Sequence, residues 1–329
     1  MNGRPPTRLE RLGEAGASIA SLRAGSARWQ RALLAVTVAL VVGFLTAAIA
    51  SQWSQLPDIH WRWRPGWLLA SVAALVLFQL AHCQLWVMML GALGAPIHPM
   101  RGRAVWSLTL LARYVPTNLA LAVSRMALAE REGVPKRVCM ASIVYELGFT
   151  LAGSAAVGAY FVVTLPDLHG RPVRWLALAL PVLALVALDP AVFHRLADAA
   201  LRRLGRPPLP LSLSRPRVLG FALLFAGSFL IAGAAVYAFA QAIHGVGAGD
   251  AGTVIGSYSV GFAASVLAFV LPGGLGAREG AMAAALSPVL PVTVALAVAV
   301  AVRLLQMGVE VLYAAVTPLL ARRGAAPAG

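Results

Sequence analysis

The sequence predicts an all-α, polytopic integral membrane protein of about seven to eight transmembrane helices, with broken, re-entrant hairpins and an arrangement compatible with an inverted repeat. Composition is the first observation: 60% hydrophobic residues, 12% charged and a mean hydropathy of +0.79. No ordinary soluble domain has that balance. The second is a series of apolar runs long enough to cross about 30 Å of hydrocarbon. The third is Leu271-Pro-Gly-Gly-Leu-Gly-Ala-Arg-Glu-Gly280, which lies between the uncharged run Thr253–Leu271 and another apolar run beginning at Ala281. Broken backbone at membrane depth is tolerated only where protein buries it or where it lines a polar cavity.

In chain order, residues 1–31 form a basic tail rich in Gly, Ala and Ser, expected to be mobile and cytoplasmic, with a short amphipathic helix over Leu9–Leu22. The tail is too long and polar to open a cleaved signal peptide, and no small-residue cleavage pattern follows Ala50. A single membrane domain, 32–320, follows, with a short cytoplasmic tail at 321–329. Its spans are expected at 32–50, 66–94, 138–165, 175–189, 218–243, 253–271 and 292–320. His60, Trp61, Trp63 and Trp67 read as an aromatic belt at the outer face. Two shorter segments, 104–124 and 277–290, are broken or too short for a plain span.

Charge placement sets the orientation. Of the 27 Lys and Arg residues, most fall in loops that share one face when the N-terminus is inside, including Arg101, Arg103, Arg125, Arg131, Lys136 and Arg137. The positive-inside rule then makes both termini cytoplasmic. A net charge of +15 would suggest nucleic-acid binding in a soluble protein. Here orientation and contact with anionic lipid headgroups explain it, and no nucleic-acid partner is expected. In this topology 104–124 enters from the cytoplasm and returns there. The pair 253–271 and 277–290 enters from outside, crossing wholly or in part. Opposed broken hairpins are a transporter arrangement, with the substrate near the midplane.

The candidate chemistry sits at these breaks. Pro272 frees the Ala268 carbonyl, and Gly273, Gly274 and Gly276 permit positive φ and close backbone approach. A helix restarting near Gly276 would offer N-terminal N–H groups to an anion. Arg278 would add a phosphate-matching fork, with Glu279 balancing it or binding a coupling proton. The plainer alternative has Glu279 capping the helix and Arg278 snorkelling to the surface. In the earlier break, Arg113, Tyr114 and Asn118 could hold a headgroup or mark an ordinary loop tip. Glu146 lies within a span and must be paired or protonated; Arg113 is one expected partner. Arg303 and Glu310 share a helix face with Gln306; with Glu146 and Glu279 they are candidates for charge balance or proton coupling, the plainer alternative being an internal Arg303–Glu310 bridge. Cys83 and Cys139 lie in or beside spans, against a structural disulfide. His82 and Cys83 have no third ligand at metal spacing, and no phosphate-binding G-x-x-x-x-G-K-[ST] loop is present. No metal or other cofactor is expected.

These residues carry a resemblance. Val270-Leu-Pro-Gly-Gly-Leu-Gly-Ala-Arg-Glu-Gly280 resembles the signature of the lysylphosphatidylglycerol synthase transmembrane-region family, also called flippase-like or UPF0104. Ala112-Arg-Tyr-Val-Pro-Thr117 and Ala141-Ser-Ile-Val-Tyr-Glu146 are similar to its earlier motifs. Relatives often place arginine after that glutamate and an acid three residues later, where this chain has Leu147 and Thr150. The resemblance implies a translocating domain without the soluble aminoacyl-transferase domain of bifunctional relatives, and hence no catalytic residues of that kind. It implies movement of a phospholipid or polyprenyl-linked glycan between leaflets in the bacterial cytoplasmic membrane, during envelope biogenesis. Partners would be anionic or polyprenyl-phosphate-linked lipids, and a glycosyltransferase or synthase. Two alternatives remain at this stage: a membrane transferase using a lipid-linked donor, and a scaffold subunit of a separate synthase. The transferase lacks an acidic pair in an outer loop, where Asp58, Asp167 and Asp250 stand isolated.

Overall fold

A computed structural model describes residues 63–110, 112, 120–164, 172–203, 213–267 and 276–323. The basic tail, the 32–50 span, Trp61, Arg113, Tyr114, Asn118, Gly273 and Gly274 lie outside the described residues. The described residues contain ten α-helices and no strand. They are α1 (Pro65–Ala92), α2 (Pro99–Leu110), α3 (Ala120–Arg131), α4 (Lys136–Thr164), α5 (Val173–Leu188), α6 (Pro190–Arg203), α7 (Arg215–Ile243), α8 (Ala251–Leu267), α9 (Ala277–Leu286) and α10 (Val292–Arg323).

Helices α1, α4, α7 and α10 are long and apolar enough to cross a membrane. They are apolar on every side, as helices are when lipid takes the place of water on their outer face. Leu69, Leu223 and Leu312 stand 70%, 65% and 62% exposed on α1, α7 and α10, while polar groups turn inward. Ser71 donates to the Ala235 carbonyl at 2.8 Å, and Ser154 to the Ser259 carbonyl at 3.3 Å. Such interhelical bonds and small residues let helices approach where hydrophobicity supplies no force between them. Gly153 of α4 lies against the α7 backbone at Phe225 and Ala226; Gly233 of α7 lies against the Ile255 carbonyl of α8.

Helices α1 and α7 run antiparallel. Arg64 N donates to the Ala242 carbonyl at one end (2.9 Å), and Arg217 Nη1 to the Ala92 carbonyl at the other (3.1 Å). The second end is basic: Arg101, Arg103, Arg131, Lys136, Arg137, Arg195, Arg215 and Arg217 lie there. The opposite end carries Arg64 and Arg174 among the described residues, together with the exposed Trp63 and Trp67.

The two short-helix pairs, α2–α3 and α8–α9, open at opposite ends. At the mouth of α2–α3, on the basic end, Arg101 pairs with Glu132 at 3.4 Å; deeper in, Arg125 reaches Thr109. The α8–α9 hairpin opens at the other end, where Gly252 meets Tyr160 late in α4; its deep end brings Gly261 against Arg278. Helix α8 covers residues 251–267 of the expected 253–271 span, and residues 268–271 lie outside the described residues. Helix α5, only 16 residues with Pro181 inside, is shorter than the four spanning helices.

A long–short–short–long order thus occurs twice, as α1–α4 and α7–α10, and the halves exchange partners. Hairpin helix α2 packs on α10, the last helix of the second set; α8 packs on α4, the last of the first. Because α1 and α7 are antiparallel, the second set is inverted relative to the first. Helices α5 and α6 connect them. Amphipathic α6 is anchored where Phe193 stacks on Tyr145, with ring centroids 4.1 Å apart.

Candidate functional site

A cavity of about 370 Å³ lies between the deep ends of the two hairpins. Its wall draws on both halves: Leu121, Ala122 and Arg125 from α3, Glu146 and Thr150 from α4, Tyr258 and Phe262 from α8, Arg278 from α9 and Gln306 from α10. Gln79 and His82 of α1 complete it.

On the first-half side, Arg125 is 2% exposed and fully engaged. Its Nε donates to Thr109 Oγ1 at 3.1 Å, its Nη1 donates to Glu146 Oε2, and its guanidinium lies over the rings of Trp86 and Trp106 at 5.3 and 5.6 Å. Trp106 Nε1 donates to the other carboxylate oxygen of Glu146 at 2.8 Å. Two charges removed from water persist only when paired and hydrogen-bonded, and this cluster meets both conditions. Arg125, read from sequence as a cytoplasmic loop charge, supplies a partner of Glu146, while Arg113, the partner expected from sequence, lies outside the described residues. Arg125 occupies the second arm of the hairpin, about two helix turns from Arg131, which is why neighbouring Arg131 and Lys136 concealed it. The available signal was local: Leu121-Ala-Val-Ser-Arg-Met-Ala-Leu128 surrounds this arginine with apolar residues.

The second-half side is built on the Gly-rich break. Gly276, at φ +82°, is the N-cap of α9, a left-handed conformation that disfavours any other residue. Glu279 reaches back to accept the Gly276 N–H at 2.7 Å. The chain's own carboxylate thereby satisfies one N–H at the start of α9. Arg278 does not snorkel. It is 7% exposed, donates from Nη2 to Gln306 Oε1 at 3.1 Å, and stacks 4.7 Å above Tyr258. The same Gln306 oxygen accepts from Tyr258 Oη at 3.1 Å, and Gln306 Nε2 donates to Glu310 Oε1 at 3.0 Å. Arg303 forms an ion pair with Glu279, Nε to Oε1 at 3.7 Å, so the charge network extends between α9 and α10 as well as along α10.

The structure therefore brings Arg278, Gln306 and Glu146 to one cavity and places Glu279, Arg303 and Glu310 behind the wall around Arg278. Sequence reasoning missed Gln79, Trp106, Arg125 and Tyr258. His82, dismissed as a metal ligand, bonds through Nε2 to Ser228 Oγ at 2.9 Å, and Cys83 and Cys139 are buried free thiols.

The family model described as "Lysylphosphatidylglycerol synthase TM region" matches residues 32–313, nearly the whole chain. The chain belongs to this family. Membership suggests a role connected with membrane lipids. No curated protein and no solved structure matches the chain.

Proposed function

We propose that this member of the lysylphosphatidylglycerol synthase transmembrane-region family is a lipid translocase, moving a phospholipid or polyprenyl-linked glycan between leaflets. The carrying observation is the cavity at the meeting of two oppositely directed hairpins, with a buried arginine from each half on its wall. A polar headgroup would enter this cavity while its acyl or prenyl tails stayed in hydrocarbon. Arg125 is neutralised by Glu146, whereas the only hydrogen-bond acceptor of Arg278 among the described residues is an uncharged amide. Arg278 is accordingly the anchor for a headgroup phosphate, through a fork that matches phosphate oxygens. Arg113, Tyr114 and Asn118 remain candidates for the facing tip, with Gly273 and Gly274 giving the backbone room to approach.

By the positive-inside rule the basic end faces the cytoplasm of a bacterial cell, placing both termini there. A synthase or glycosyltransferase would supply or consume the lipid.

Proteoliposomes with fluorescent lipids of several headgroups test this reading. Wild-type protein should accelerate transbilayer movement of at least one phosphate-bearing lipid. Arg278→Lys should slow it at least tenfold, Arg278→Gln should abolish it, and Arg195→Gln on exposed α6 should leave it unchanged. No acceleration across the panel would overturn the reading.

A further inference from the structure

The cavity contains one buried polar group that no atom of the described residues satisfies. Gln79 lies at mid-length in α1, is 2% exposed, and has a buried Nε2 with no hydrogen-bond partner among the described residues. Polar neighbours on the same helix are provided for: Ser71 bonds the Ala235 carbonyl and His82 bonds Ser228. A buried donor without an acceptor destabilises a fold, and an apolar side chain of similar volume would fold better there. Its position on the cavity wall indicates that the missing acceptor arrives with the ligand.

The wall identifies the acceptor's chemistry. Arg125 and Glu146 cancel, leaving the charge of Arg278 on the cavity surface; Glu310 lies behind Gln306, fully buried and off the wall. One positive charge plus a neutral amide donor suits an oxyanion with one negative charge and more than one acceptor oxygen. A phosphodiester is such a group, whereas a diphosphate would bring excess charge into the cavity.

We propose that Gln79 is a ligand-binding residue of the cavity, donating from Nε2 to an oxygen of the phosphodiester whose charge Arg278 holds. That the phosphodiester belongs to a lipid rests on the translocase reading; the donor–acceptor match does not.

Thermal unfolding of the purified protein in detergent tests the two separately. It is followed during titration with short-chain phosphatidylglycerol, diacylglycerol or glycerophosphoglycerol, the last being the phosphodiester headgroup without tails. Wild-type protein should rise in Tm with phosphatidylglycerol and not with diacylglycerol. Gln79→Met should keep or raise the ligand-free Tm, since it removes the unmet donor, while weakening phosphatidylglycerol binding about tenfold, the worth of one hydrogen bond to a charged group. A lower ligand-free Tm, or failure to fold, would make the amide a structural element and overturn the proposal. Unchanged affinity in a stable Gln79→Met protein would overturn it too, while leaving the lipid reading standing. Equal stabilisation of wild type by glycerophosphoglycerol, lost in the variant, would support Gln79 and remove the lipid as the required source. No shift with any of the three compounds would overturn both.

Discussion

Arg125 and Glu146 show how much a single buried pair can decide. Removing one partner strands the other charge in a low-dielectric interior, a loss of about 3 kcal/mol or more; removing both leaves nothing stranded. Arg125→Met and Glu146→Gln should each lower stability in detergent strongly. The Arg125→Met/Glu146→Met double variant should be more stable than either, as a double-mutant cycle of thermal unfolding would show. Additive losses would mean that the pair is not coupled. Arg278 and Glu279 were legible in sequence because an Arg-Glu step follows a proline and three glycines in otherwise apolar sequence. Arg125 was harder to read, because its apolar surroundings run directly into the loop charges that follow; the packing of α3 beneath Trp86 and Trp106 sets it apart. Gln79 was equally silent, since a lone amide in an apolar run carries no periodic signal.

At the level of elements, the proline–glycine stretch separates two short helices, α8 and α9, that pack against each other. What the break does not encode is how closely the arms approach. A Cβ on Gly233 would stand 2.2 Å from the Ile255 carbonyl oxygen, backbone that cannot move aside without shifting α8. Gly233→Ala should therefore cost several kcal/mol or prevent folding. Gly227, on the same helix with nothing within 4 Å of such a carbon, should gain up to about 1 kcal/mol from alanine, the helix preference alone. Thermal unfolding of the two variants side by side checks the contrast. At the α5–α6 junction, the Ala191 N–H and Arg215 hold the Asp189 carboxyl below its usual range. The stabilising contribution is then present above the unfolded-state value, about 3.9, and is lost as pH falls through the lowered folded value. Hydrogen exchange at Ala191 should quicken in that window in the wild type. In Asp189→Ala, which removes the acceptor, it should already be fast at neutral pH and show no further acid loss.

For the whole molecule, the long–short–short–long order could be sensed in the sequence as two broken hairpins on opposite faces, without visible similarity between the halves. Antiparallel α1 and α7 give that symmetry a geometric form that residue identities do not repeat. The orientation is open to direct measurement. Single cysteines beside Arg131 or Arg203, in a background lacking Cys83 and Cys139, should be shielded from an impermeant reagent applied outside intact cells. One beside Asp250 should be labelled. Labelling beside Arg203 would invert the assignment of faces.

The exchange of partners between halves also constrains how the protein can be made. When α2 has left the ribosome, roughly 180 residues remain before α10, the helix it packs against, begins. At 5–20 residues per second this interval is on the order of ten seconds or more, with the first hairpin inserted but incompletely covered. The hairpin's buried polar cluster must wait in a bilayer that offers it few substitutes for its final neighbours. A gene divided within the α5–α6 connection should yield two fragments that are each degraded when produced alone and that accumulate as one folded protein when produced together.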